Sequence, residues 1–150
     1  MSEVTAQPVA TVEYAAGAPA GTPRPSKAAV WGGWVMGGLP ALFLLLGATM
    51  NFTKPPAAVE GTVKMGYSEA VMVPLGVVLL VSTLLYLFPR TAVLGAILLT
   101  GWFGGAVATH VRVSDPLGTT LFPVVFGVLI WGGLWLRDRR LRALLPLRSV

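Results

Sequence analysis

The stretch AVMVPLGVVLLVSTLLYLF, residues 70–88, is followed after only Pro89 and Arg90 by TAVLGAILLTGWFGGAVATHV, residues 91–111. Neither run contains a Lys, Arg, Asp or Glu. At about 1.5 Å per residue, an apolar helix of roughly 20 residues crosses a hydrocarbon core of about 30 Å. A helix that is apolar on all sides has no polar face to give to water. Two such runs joined by so short a link must return on themselves, so residues 70–111 predict an antiparallel hairpin of adjacent membrane-spanning helices.

Reading outward, two further uncharged runs flank this hairpin, Ala28 to Met50 and Thr119 to Leu136. The fold class expected is therefore all-α, a transmembrane four-helix bundle. Composition agrees: 55% of the 150 residues are hydrophobic, 11% are charged, and mean hydropathy is +0.75. Such a chain can form one bundle, with nothing left for a sizeable soluble domain. The division expected is a flexible cytoplasmic tail over residues 1–27, rich in Ala, Pro, Thr and Gly, and one membrane domain over 28–150. The first apolar run has no convincing small-x-small cleavage site behind it and reads as a retained span.

The net charge of +5 does not point to nucleic acid, because five arginines crowd just beyond the last span, at Arg137, Arg139, Arg140, Arg142 and Arg148. Arg137, Arg139, Arg140 and Arg142 suit lipid headgroups better, which makes membrane lipids the first expected partner. The tails and the Arg90 turn carry eight Lys and Arg, against three on the other side, at Lys54, Lys64 and Arg112. The excess of positive charge on the cytoplasmic side of bilayers places both termini in the cytoplasm, in a bacterial cytoplasmic membrane. With no Cys, disulfides, iron–sulfur clusters, thiolate-ligated haem and thiol relays are excluded within this chain.

The segment from Asn51 to Glu69 predicts a short amphipathic helix on the membrane surface, with Thr53 as its cap, Pro55 and Pro56 in its first turn, and Gly66 at its end. Val59 and Val63 share one face; Glu60 and Lys64 share another. Ser68 is expected to cap span two. Pro40 should kink span one or open its backbone. In span three, Gly95, Ala96, Gly101, Gly104, Gly105, Ala106 and Ala108 let a neighbouring backbone approach, with internal packing the expected use and a homodimer seam the alternative. Beyond span four, Leu141, Leu144 and Leu145 suggest a helix that runs on and bends onto the surface.

The hairpin, the preceding KPPAAVEGTVKMGYSEA and the following LFPVVFGVLIWGGLWLRDRRLRALLPLR resemble the DoxX-like family of small bacterial four-helix membrane proteins, over roughly residues 30–148. The resemblance implies architecture more than activity. Some relatives serve as membrane subunits of thiosulfate:quinone oxidoreductase, others associate with oxidative-stress proteins, and distant animal relatives assist receptor assembly. Fold and function separate readily, so an oxidoreductase does not follow.

The candidate binding or charge-pin cluster gathers the polar residues of one membrane face: Asn51, Lys54, Glu60, Lys64, Tyr67, Glu69, His110 and Arg112. His110, the single histidine, titrates near neutral pH in its ordinary state and could bond a quinone carbonyl or pass a proton. The plainer reading is a pin, with His110 paired to Glu69 or a loop carbonyl, and Arg112 to Glu69, Glu60 or Asp115. GWFGG is no dinucleotide fingerprint, one histidine among scattered carboxylates is no metal site, and no serine–histidine–acid spacing supports hydrolysis. No charge sits mid-span, as an ion-coupled transporter would require.

These residues lead to an accessory membrane protein that binds a partner protein or a lipid-like molecule and lacks a catalytic set. The alternatives are a membrane subunit of a quinone-linked oxidoreductase, with quinone as cofactor and a redox protein as partner, and a small-solute permease working as an oligomer. The oligomeric state itself is open.

Overall fold

The computed structural model describes residues 26–138 and Leu141. Expectations for most of the N-terminal tail, for Arg139, Arg140, Arg142 and Arg148, and for Leu144 and Leu145 lie outside the described residues. Helix α1 runs Lys27–Thr53, the short α2 Pro56–Lys64, α3 Met72–Leu87 behind a 3-10 turn at Glu69–Val71, α4 Ala92–Arg112, and α5 Leu117–Arg137. Four of these are long and apolar enough to cross a membrane. They form a four-helix bundle in which α1 packs on α3 and α5, and α4 packs on α3 and α5.

Local chemistry explains the ends. Ser26 caps α1, its Oγ accepting the Ala29 N–H at 3.1 Å. α3 stops at Phe88, which is extended because the following Pro89 ring disfavours helical backbone there. Thr91 closes the hairpin turn, its hydroxyl donating to the Leu85 carbonyl at 2.8 Å. Pro40 lies inside α1 and is buried; it takes one backbone donor out of the helix without ending it.

Four expectations need correction. Thr53 belongs to the last turn of α1, its hydroxyl donating to the Thr49 carbonyl, and Pro55 stands where the α2 cap was expected. A proline there fixes φ for the first turn, so no side-chain cap is used. Ser68 precedes the 3-10 turn but makes no side-chain cap bond. α5 ends at Arg137, with Asp138 extended, and Leu141 is buried in the core at 5% exposure, where a helix running on and bending onto the surface was expected. Leu141 joins the buried cluster that includes Leu134.

The small-residue seam is the fourth correction. On α4, Gly95 lies so close to the Tyr86 and Leu85 backbone that no side chain would fit, and Ala92 and Ala96 are buried, but Gly101, Gly104 and Gly105 face open space. A further tight internal crossing, not expected, lies between α1 and α5. A Cβ on Gly133 would come within 2.7 Å of the Gly37 nitrogen and 2.8 Å of the Gly33 carbonyl oxygen, both backbone atoms. Without a strong hydrophobic force between helices in lipid, such close backbone contact supplies dispersion energy that bulky residues would forfeit. Gly33-x-x-x-Gly37 was the signal in the sequence.

Tyr86 is the centre of the crossing. It is 0% exposed, its hydroxyl donates to the Ile130 carbonyl of α5 at 3.2 Å, and the absence of a side chain at Gly37 of α1 makes room for that hydroxyl. One α3 side chain thereby meets both α1 and α5, while its own backbone lies against Gly95 of α4. Toward the other end, Phe43, Phe122, Phe126 and Phe103 interlock α1, α5 and α4 with ring centroids 4.9–6.2 Å apart.

Candidate functional site

The hairpin topology brings the ends of α1 and α4 and the start of α3 to one end of the bundle, beneath α2. Most of the candidate cluster gathers here, and most of it is already engaged. Lys54 Nζ lies 3.0 Å from Glu69 Oε1 and ties the end of α1 to the start of α3. Lys54 holds a left-handed backbone, φ 48°, which lets its N–H return to the Met50 carbonyl and close the helix.

Arg112 donates to the Met65 carbonyl and lies over the Tyr67 ring, 5.1 Å from its centroid. Gly66, at φ +80°, supplies the turn that delivers both: the Tyr67 N–H reaches back to the Thr62 carbonyl, and the guanidinium passes over the bare Cα. Tyr67 Oη lies 2.9 Å from Thr109 Oγ1. Since the Thr109 hydroxyl donates to the Gly105 carbonyl, Tyr67 serves as the donor to it.

His110 Nδ1 lies 2.7 Å from Asp115 Oδ2, with both side chains mostly buried. A helix-ending turn makes the pair: the Asp115 N–H bonds the His110 carbonyl, and Ser114 takes φ 55°. The expected partner Glu69 is with Lys54 instead, and Arg112 has a carbonyl and a ring in place of a carboxylate. Asn51 bonds only its own helix, donating to the Gly47 carbonyl at 2.9 Å. Glu60 and Lys64 stand apart on α2, lining a shallow cleft with Val59, Val63, Lys54 and Glu69.

Sequence reasoning missed Met65, Thr109 and, as the partner of His110, Asp115. Asp115 was expected as a partner of Arg112, and a turn that wraps its carboxylate onto a histidine five residues back depends on Ser114 adopting a conformation that its residue type does not announce. Chemically the cluster is a girdle that ties α1 to α3, the 65–67 loop to α4, and α4 to the α5 loop. Among the described residues no three His, Asp or Glu side chains converge as metal ligands.

At the other end, Arg137, expected among the headgroup arginines, turns inward. Its guanidinium stacks on Trp34 at 4.1 Å and Tyr86 at 4.7 Å from the ring centroids, and Nη2 donates to the Tyr86 carbonyl at 3.2 Å. Between the ends, a lateral groove of about 920 Å³ opens between α4 and α5. Thr100, Phe103, Gly104, Gly127, Trp131 and Trp135 form much of its wall, and the Trp131 indole donates to Thr100 Oγ1 at 2.9 Å. The groove is almost wholly apolar, and the unused glycine face of α4 contributes Gly104 to it.

The family model described as DoxX-like matches residues 35–133, about two thirds of the chain, from α1 to the Gly133 crossing on α5. No curated protein and no solved structure matches.

Proposed function

The chain belongs to the DoxX-like family of multi-pass membrane proteins, and from that premise we propose that it is a non-catalytic accessory protein that binds a lipid-like molecule by one apolar chain in the α4–α5 groove. The groove is the observation that carries this reading. Between Pro123 and Trp135 it follows about 18 Å of helix, at about 1.5 Å per residue, close to the roughly 15 Å depth of one leaflet. Its volume falls in the range of ligand pockets, and glycines rather than bulky side chains keep it open.

The girdle at the α2 end supports the non-catalytic half of the reading. His110 and Arg112, the groups best suited to hold a quinone headgroup, are both committed to partners within the chain. We place the protein in a bacterial cytoplasmic membrane with both termini cytoplasmic, from the distribution of Lys and Arg.

The test is purification of the full chain at native level in mild detergent, with mass spectrometry of extracted small molecules and co-purifying proteins, beside the variant Gly104→Leu. A Cβ at Gly104 meets nothing within 4 Å, so leucine fills the groove without disturbing the bundle. The reading expects an amphiphile retained by the native chain and lost from Gly104→Leu at unchanged melting temperature. Equal retention by both would overturn it. Recovery of a quinone or a redox enzyme would move the oxidoreductase-subunit reading to the front.

A further inference from the structure

The end of the bundle opposite α2 holds a second cavity, distinct from the groove in place and in chemistry. It encloses about 750 Å³ where the start of α1, the α3–α4 turn and the end of α5 meet. Trp34, Val93 and Leu134 give apolar wall, and Arg90, Arg137 and Asp138 give charge. Asp138 accepts the Leu141 N–H at 3.3 Å, and Arg90 has no ion-pair partner among the described residues. Among the described residues the charged lining carries two guanidiniums and one carboxylate.

Two features suit this cavity to an anion. Arg137 is fixed by its two aromatic rings and the Tyr86 carbonyl, yet its Nη1 is buried without a hydrogen-bond partner among the described residues. Nη1 itself is closed to the cavity, so Arg137 contributes a positive charge held in place at the cavity wall by its ring contacts. Ala92 and Val93 also bring the first turn of α4 to the wall, and Thr91 places no side-chain cap over its free N–H groups. That turn adds positive partial charge to the guanidiniums.

We propose that this cavity binds the phosphodiester of an anionic glycerophospholipid, with Arg137 and Arg90 on the phosphate and the apolar wall against the glycerol end of its chains. The position favours a lipid over a free anion, because the cavity lies at the ends of membrane-spanning helices, at headgroup depth, and is walled partly by Val30, Val93 and Leu134. The site does not depend on the groove, and either can fail without the other.

The full chain is reconstituted in nanodiscs of phosphatidylcholine with a minor fraction of phosphatidylglycerol, and lipids retained per chain are counted by native mass spectrometry. The native chain should keep one phosphatidylglycerol in preference to phosphatidylcholine. Arg137→Gln should reduce that preference at least about tenfold, the loss expected for a charge-assisted hydrogen bond of roughly 1.4 kcal/mol or more. Because Arg137 also supports the fold, Arg90→Gln and the cavity-filling Val93→Trp are measured beside it with their melting temperatures. Reduced preference in both at unchanged melting temperature supports the site, as does a preference unchanged in Gly104→Leu. Undiminished preference in Arg90→Gln and Val93→Trp, no preference in the native chain, or displacement of the lipid by millimolar inorganic phosphate would overturn it.

Discussion

Arg112 and Arg137 end neighbouring helices at opposite ends of the same bundle, and the protein treats them differently. Arg112 is exposed, lies 5.1 Å over a tyrosine ring and serves a loop carbonyl. Arg137 is half-buried between an indole and a phenol and touches the residue around which the helices cross. At the α2 end, pairs between neighbours fasten loops that lie outside the core. At the Arg137 end, one charge is built into the crossing and left with donor capacity. Ion pairs at exposed positions contribute about 0–1 kcal/mol each, whereas desolvated stacking of a guanidinium on an aromatic face reaches about 2 kcal/mol. Stability should therefore concentrate at the crossing rather than in the exposed pairs of the α2 end.

The largest effect should come from the crossing itself. Gly133→Leu puts a side chain against the Gly37 nitrogen and the Gly33 carbonyl, neither of which can move without separating α1 from α5. Overpacking of this kind costs about 1–3 kcal/mol and more when backbone must shift, so the variant should melt far below the native protein in detergent or fail to fold. Gly101→Leu, on the open face of α4, should melt near the native temperature. Comparable losses in both would mean that α4 takes part in a seam between copies, and the contrast between used and unused glycine faces would fail.

Next in size is the pair of arginines. Arg137→Ala should lose about 2 kcal/mol through its two ring contacts, while Arg112→Ala should lose less than about 1 kcal/mol. Relief of the unpartnered Nη1 works against the first loss, so the sharper comparison is Arg137→Lys, which keeps the charge and removes the planar stack. Melting temperatures in one detergent decide it; equal shifts for Arg112→Ala and Arg137→Ala would erase the distinction between the two ends.

How much of this was visible beforehand follows from the range over which each feature is determined. The four spans, the hairpin at Pro89 and Arg90 and the surface helix were legible because length and hydropathy act on contiguous residues. The gathering of Lys54, Tyr67, Glu69, His110 and Arg112 at one end followed from topology alone. Their partners did not, because Lys54–Glu69 and Arg112–Met65 depend on two left-handed turns, at Lys54 and Gly66, of which only the glycine was announced. The α1–α5 seam was hidden for another reason. Small residues at helical spacing occur in spans one and three, while the partner Gly133 of span four stands without such a spacing, and Tyr86 takes space from Gly37 while bonding Ile130.

The smaller tests belong to the α2 end. A double-mutant cycle on Lys54→Ala and Glu69→Ala should give a coupling of about 0.2–1 kcal/mol that shrinks as salt rises, since both side chains are partly solvated. The smallest effect should have the opposite sign. Ser114 holds φ 55° to swing Asp115 onto His110, and a left-handed conformation costs a residue with a Cβ roughly 1–2 kcal/mol. Ser114→Gly removes that cost, and the greater freedom of glycine in the unfolded chain takes back about half or more of it, leaving a gain of a few tenths of a kcal/mol. A raised melting temperature that disappears in Asp115→Ala would mean that the turn matters through the His110 pair. A gain that persists without the carboxylate would mean that the turn is set by its backbone bond to the His110 carbonyl, and that the girdle is held by chain geometry before charge.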